Sequence, residues 1–296
     1  MIFLPLVLIV AVAGALVGLG WNASGHALHP GNGAYAWSLE DYPDLAAEEV
    51  TVESSTGAKL AGRFLPGRTE ATVILLHGYG GNQDEMLPVA STLHEAGYSV
   101  FTYDQRGCGR STGEVTFGAR EQDDLESVID YLVTREDVNE ERLGALGFSM
   151  GGATALLAAG GDPRIKAVVA DSSWSEAKNW LRPSVKASFL HPRDRFSALS
   201  LKLAELRGGF DLDDLRPVDV MSKLSPRPVL LVHAGADQVV PAAEGERNFE
   251  DARKPKELVL VAGAAHGDTI EPGGTTTRKR IAEFFELAFD ADRVAA

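Results

Sequence analysis

A serine set among small residues, where a strand-like run gives way to a helix-like run, constrains this chain more than any other feature. The stretch is Gly147-Phe148-Ser149-Met150-Gly151-Gly152. Before it, residues 142–148 read as a short buried strand. After it, residues 153–159 (Ala-Thr-Ala-Leu-Leu-Ala-Ala) form helix readily and stop at Gly160-Gly161. A serine forced into so sharp a turn needs neighbours without bulk, and the glycines let strand and helix approach closely. The turn lifts the hydroxyl clear of a sheet and aims the first helical N–H, that of Met150, at the place where a negative oxygen would form. Strand-turn-helix context makes the G-x-S-x-G spacing more than a glycine-serine loop.

The strands and helices around this turn alternate. Residues 50–53 and 59–65 alternate apolar and polar about Ser54-Ser55-Thr56-Gly57, the pattern of an antiparallel hairpin. Thr72-Val73-Ile74-Leu75-Leu76 has no polar face and is expected to be buried on both sides in a parallel sheet. Helix 85–96, strand 98–103, helix 121–134, the serine strand and helix, strand 165–170, strand 228–233, helix 242–253, strand 257–261 and helix 275–289 follow. The pattern predicts an α/β, doubly wound, mostly parallel sheet. Between Ser172 and Pro228 the alternation lapses, and a helical insertion over about 172–227 is expected.

The first fifty residues differ from the rest. Residues 2–21 are apolar and uncharged, and as a helix they would span about 30 Å, the hydrocarbon thickness of a bilayer. The expectation is an N-terminal membrane anchor over 1–21, a mostly irregular linker over 22–48 and a domain over 49–296, with a chain that starts near Leu45 soluble and still active. A cleaved secretory signal is the rival reading, but a basic n-region is missing. No Lys or Arg precedes Lys59, so the side of the membrane is undetermined. A net charge of −14 argues against a nucleic-acid partner. The single cysteine, Cys108, excludes an intrachain disulfide and a cysteine-built metal site.

Three further stretches sit at strand ends. His77-Gly78-Tyr79-Gly80-Gly81-Asn82 closes the first buried strand and can turn backbone N–H groups toward a ligand, with the Tyr79 N–H as a second oxyanion donor beside Met150. A phosphate cradle is disfavoured, since neither a P-loop lysine nor G-x-G-x-x-G opening a helix is present. Asp237 follows the next-to-last strand and His266 the last. A serine nucleophile needs a base to take its proton and a carboxylate to fix the base's tautomer, and the order Ser149, Asp237, His266 supplies both. His77 and His233 lie at strand ends as packing residues. Asp171, at the end of the preceding strand, remains the competing carboxylate, but the glycine-bounded, turn-rich surroundings favour Asp237.

With these motifs in order, residues 50–289 resemble the α/β-hydrolase superfamily, and more narrowly its lid-bearing serine hydrolases of the acyl esterase and serine aminopeptidase type. Asp104-Gln105-Arg106-Gly107-Cys108-Gly109-Arg110-Ser111 is similar to that family's D-x-R-G-x-G-x-S loop, which implies a structural role, with Arg106 tying loops together. The resemblance implies a lid over 172–227. Phe196, Leu199, Leu203, Leu206 and Phe210 form one helical stripe there, and Trp174 heads a second set. Trp174, Phe196 and Leu203 are the candidates for contact with a small-molecule acyl substrate. Residues 172–210 carry seven Lys or Arg against three Asp or Glu, which would suit an anionic lipid or substrate group. The expected activity is cleavage of an ester or thioester through an acyl-enzyme, without metal or organic cofactor. A peptidase of the aminopeptidase type and a non-catalytic anchored binding protein are the alternatives.

Overall fold

The computed structural model describes residues 3–181, 198–271 and 273–294. A long helix, α1 (Phe3–Leu28), is followed by the strands β1 (Glu48–Glu53), β2 (Lys59–Leu65) and β3 (Thr72–Leu76). Next come α2 (Leu87–Glu95), β4 (Ser99–Tyr103), α3 (Glu121–Leu132), β5 (Leu143–Phe148), α4 (Met150–Gly161) and β6 (Ile165–Asp171). After β6 the described chain forms α5 (Ala177–Leu181), α6 (Ala198–Gly208) and α7 (Val218–Met221), and it closes with β7 (Val229–Ala234), α8 (Ala242–Asp251), β8 (Lys256–Val261) and α9 (Thr275–Val294).

The eight strands form one sheet in the order β1-β2-β4-β3-β5-β6-β7-β8. The β1–β2 and β2–β4 pairs are antiparallel, and every pair from β4 across to β8 is parallel. Every residue of β3, β4 and β5 is buried, as expected for strands covered by helices on both faces. On one face α3 contributes Leu125, Val128, Ile129 and Leu132, a single stripe at helical spacing, beside Ala155, Leu156 and Ala159 of α4. On the other, α9 supplies Ile281, Phe284, Phe285 and Phe289 beside Leu87, Val89 and Leu93 of α2. Glu121, Asp123 and Asp124 occupy the first turn of α3, where the helix dipole favours negative charge.

Winding runs outward from β3 to β4 and then crosses back, so that β5 lies on the opposite side of β3. The reversal puts the topological switch point at the C-terminal ends of β3 and β5, the kind of place where open α/β sheets bind ligands. The glycine-rich turn after β3 and the serine turn after β5 meet there. Arg106 braces this edge from the loop after β4, its Nε and Nη2 donating to both carboxylate oxygens of buried Asp124 at 2.6 and 2.8 Å. It also reaches the Thr56 hydroxyl in the β1–β2 turn, so it ties loops together as expected.

The anchor expected over residues 1–21 is not supported. Among the described residues no helix is long and apolar enough to cross a membrane, and the side chains of residues 1–13 lie outside the described set. The helix also continues past Trp21 to Leu28, and its second half packs on protein. Ala27 and Leu28 are fully buried. Gly20 abuts Leu199 and Leu203 of α6, while the Arg207 guanidinium donates to the Trp21 carbonyl and Ser24 hydroxyl at 2.9 and 2.8 Å and lies over the Trp21 ring.

Candidate active site

Ser149 stands between the last residue of β5 and the first of α4 with φ 53° and ψ −115°. Such a backbone costs a non-glycine residue about 1–3 kcal/mol and persists only where the surroundings over-determine it. They do so here. The Ser149 N–H donates to the Asp171 carbonyl at 2.7 Å and the Ser149 carbonyl accepts from Ala153 at 3.1 Å. A Cβ at Gly147 would fall 2.0 Å from the Gly151 carbonyl oxygen, and one at Gly151 would fall 2.3 Å from that of Leu76. The spelling of the turn is therefore steric: only glycine lets β5, α4 and the end of β3 come this close.

Two loops bring the partners. Asp237 lies three residues beyond β7, and its Oδ1 accepts the Val239 and Val240 N–H groups at 2.7 and 2.8 Å. Its Oδ2 accepts a hydrogen bond of 2.6 Å from His266 Nδ1. Fixing the imidazole proton on Nδ1 leaves Nε2 as an acceptor, and Nε2 lies 3.0 Å from Ser149 Oγ. The Asp237 side chain is fully buried while the His266 ring keeps 16% of its surface exposed, so the carboxylate is shielded and the imidazole is not. Burial pushes the Asp237 carboxyl upward, but the His266 hydrogen bond and charge, with the two N–H groups, outweigh it and hold Asp237 below its ordinary value. The Phe148 ring supports His266 from one side, with ring centres 4.8 Å apart.

The fold has known counterparts. A family model for the α/β hydrolase fold matches residues 71–198. The protein YfhR of Escherichia coli K12 is 31% identical over 255 residues, covering 83% of this chain and 82% of YfhR. The chain belongs to the α/β-hydrolase superfamily. YqkD of Bacillus subtilis is 28% identical over 257 residues, covering 86% of this chain and 84% of YqkD. Among solved structures, the Pyrococcus furiosus esterase Pf2001 superposes with TM-score 0.71 at 24% identity, covering 88% of this chain and 97% of that one. Est1E of Butyrivibrio proteoclasticus, solved with ferulic acid, superposes with TM-score 0.65 at 21% identity, covering 80% and 99%. At these identities the structural likeness is one of fold.

Asp171, the competing carboxylate of this α/β hydrolase, takes a different environment. It is the last residue of β6 and fully buried. Its Oδ1 accepts the Ser172 hydroxyl at 2.8 Å. Its Oδ2 lacks a well-formed hydrogen bond among the described residues, the Thr269 hydroxyl lying near enough to oppose part of the shift but outside bonding geometry. Burial pushes the carboxyl up to about 6. Neither strand-end histidine reaches the serine through any described bond. His77 donates from Nδ1 to the Gly78 carbonyl at 2.7 Å and accepts the Gln105 N–H on Nε2 at 2.9 Å. His233 donates from Nε2 to the Val240 carbonyl at 3.0 Å, shaping the Asp237 loop. Burial lowers the pKa of both.

Of the candidate oxyanion donors, Met150 opens α4, where the first N–H groups have no partner within the helix. Tyr79 lies in the turn after β3, which the close approach of Gly151 to Leu76 and His77 brings against the start of α4. Sequence reasoning missed Glu85, whose Oε2 accepts the Gly78 N–H at 2.6 Å and so holds that turn. A glutamate in a helix-like run carries no signal of such a bond.

The candidates for substrate contact are dispersed. Trp174 has no exposed surface and is packed with Leu28, Phe117 and Met150. Leu203 lies against Gly20 of α1, and Phe196 lies outside the described residues. The expected stripe is rotated: α6 buries Leu201, Ala204 and Gly208, whereas Leu206 is exposed. The basic residues described there have protein partners, Lys178 with Glu176 and Asp213, and Lys202 with Glu205. Among the described residues no group of three His, Cys, Asp or Glu is placed to hold a metal ion. Cys108 is buried, and burial pushes its thiol up to about 12, which leaves it unreactive.

Proposed function

We propose that this α/β hydrolase is a serine esterase that cleaves a small-molecule carboxylic ester or thioester through an acyl-enzyme. The observation that carries the reading is the unbroken run of hydrogen bonds from Asp237 through His266 to Ser149, at 2.6 and 3.0 Å, on a strained, glycine-bounded turn. Ser149 Oγ attacks the substrate carbonyl carbon while His266 Nε2 takes its proton, and Asp237 stabilises the imidazolium. The carbonyl oxygen becomes an oxyanion facing the N–H groups of Met150 and Tyr79. Collapse expels the alcohol or thiol, protonated by His266, and leaves the acyl group on Ser149. Water, deprotonated by His266, attacks that ester, and a second collapse releases the acid and restores the serine.

The choice of esters over amides draws support from the esterases Pf2001 and Est1E, the latter with a carboxylic acid bound. The test is a panel of p-nitrophenyl esters and peptide anilides, run on the full chain and on Ser149→Ala. Ester turnover is expected to fall by a factor on the order of 10⁶ in Ser149→Ala, as when one member of a cooperating triad is removed. Faster turnover of the anilides than of the esters would make the chain a peptidase. No turnover of either would make it a binding protein.

A further inference from the structure

The irregular segment after α1 does not hang free of the site. Residues 26–37 run along the turn that follows β3 and bond to it at successive points. The last turn of a helix leaves carbonyl groups without intrahelical partners, and at the end of α1 the domain supplies the donors. The Leu28 carbonyl accepts the Val115 N–H at 2.9 Å, and the Ala27 and His26 carbonyls accept the Tyr79 hydroxyl at 3.0 and 3.2 Å. Pro30 then packs against Gly80, whose φ of +71° turns the loop there. Gly33 donates its N–H to the Gly80 carbonyl at 2.7 Å, and its own carbonyl accepts from the Asn82 side chain at 3.0 Å. The Tyr35 hydroxyl donates at 2.8 Å to Glu85 Oε1, while the other oxygen of the same carboxylate takes the Gly78 N–H at 2.6 Å. Trp37 Nε1 donates to the Asp84 carbonyl at 2.8 Å.

We infer that residues 26–37 form a clamp that fixes the turn carrying the Tyr79 N–H, making the N-terminal segment a positioning part of the active site. The inference rests on the serine esterase reading, since only an oxyanion gives that N–H a catalytic task. Its physical basis is that a donor aimed at a developing charge works only if it is already in place. A turn rich in glycine has little stiffness of its own. Gly78, Gly80 and Gly81 leave Tyr79 between flexible neighbours, and the clamp ties the turn at Gly78 through Glu85, at Gly80 through Gly33, and at Tyr79 through its own hydroxyl. The same helix packs on α6 through Gly20 and Arg207, so α1 holds the oxyanion turn and the insertion after β6 in one frame. This reverses the expectation that the chain from about residue 45 carries the activity alone.

The test uses the full chain with Tyr35→Phe, Tyr79→Phe and the double variant, each removing a hydroxyl and leaving the ring to pack. Three quantities are read on an ester that the wild type turns over: kcat, KM, and the affinity of a trifluoromethyl ketone, whose adduct places its oxyanion in the hole. Complete loss of one oxyanion donor costs about 10²–10³ in kcat. A loosened donor is expected to cost about tenfold in the double variant, with ketone affinity falling by the same factor and KM unchanged. Amide hydrogen exchange over residues 77–82 is expected to quicken in the same variants. Unchanged kcat and ketone affinity would overturn the clamp, as would losses that track a fall in melting temperature alone. A wild type that neither turns over esters nor binds the ketone would instead defeat the esterase reading.

Discussion

The ends of β6 and β7 lie side by side in the sheet, and each offers a buried carboxylate within reach of His266's field, yet the two have opposite characters. Asp171 belongs to the strand itself, its backbone carbonyl serving the Ser149 N–H and its side chain sealed with one hydroxyl partner. Asp237 is carried three residues past its strand by Gly235 and Ala236, into a loop whose own N–H groups fill one oxygen and leave the other for His266. Burial prevails at Asp171 and raises its pKa, whereas hydrogen bonds prevail at Asp237 and lower it. A carboxylate at a strand end is thus assigned its role by the donors its loop provides, and not by proximity to the imidazole.

The comparison breaks most visibly in turnover. Asp237→Asn is expected to lower kcat by about 10⁴, because the amide favours the wrong imidazole tautomer, while Asp171→Asn is expected to cost less than about tenfold. Steady-state kinetics on one ester decide it, and a reversal would move the orienting role to β6.

A smaller effect is expected in stability against pH. A folded pKa of about 6 for Asp171 lies above the unfolded value near 3.9, so the folded state holds more protons between them and stability falls as pH rises through that window. Asp171→Asn removes this loss, and its stability relative to wild type is expected to improve from pH 4 to pH 7 by something on the order of 2–3 kcal/mol. Asp237, with its pKa lowered, contributes stability that is present above the unfolded value and lost as pH falls. The penalty of Asp237→Asn is therefore expected to shrink toward acid pH, the opposite slope. Urea unfolding checks both signs, read from pH 4 to pH 7 for Asp171→Asn and below about pH 4 for Asp237→Asn, and slopes of the same sign would erase the distinction.

The meeting of Ser149, Asp237 and His266 was legible because each lies in a short loop after a strand, with glycine spelling out the turn. The mostly parallel sheet around them followed from the run at 72–76, which has no polar face and is buried on both sides as read. The surroundings of α1 and α6 were not legible, for a specific reason. Periodicity locates an apolar stripe but not its partner, so nothing about Leu203 pointed to Gly20, more than 180 positions away, against which it lies. Glycine, proline and acidic residues marked 22–48 as irregular chain, whereas α1 runs on to Leu28 and the irregular stretch begins only after it. They carried no trace of Tyr35 and Gly33 meeting Glu85 and Gly80, because those bonds join groups that no local pattern relates.

If Ser149 is a nucleophile activated by His266 and Asp237, an electrophile that traps serine covalently will find it. A fluorophosphonate added to the full chain is expected to attach once, with peptide mapping placing the adduct on the fragment containing Ser149, and the Ser149→Ala and His266→Ala variants are expected to remain unlabelled. Labelling at another residue, or undiminished labelling of Ser149→Ala, would contradict the account.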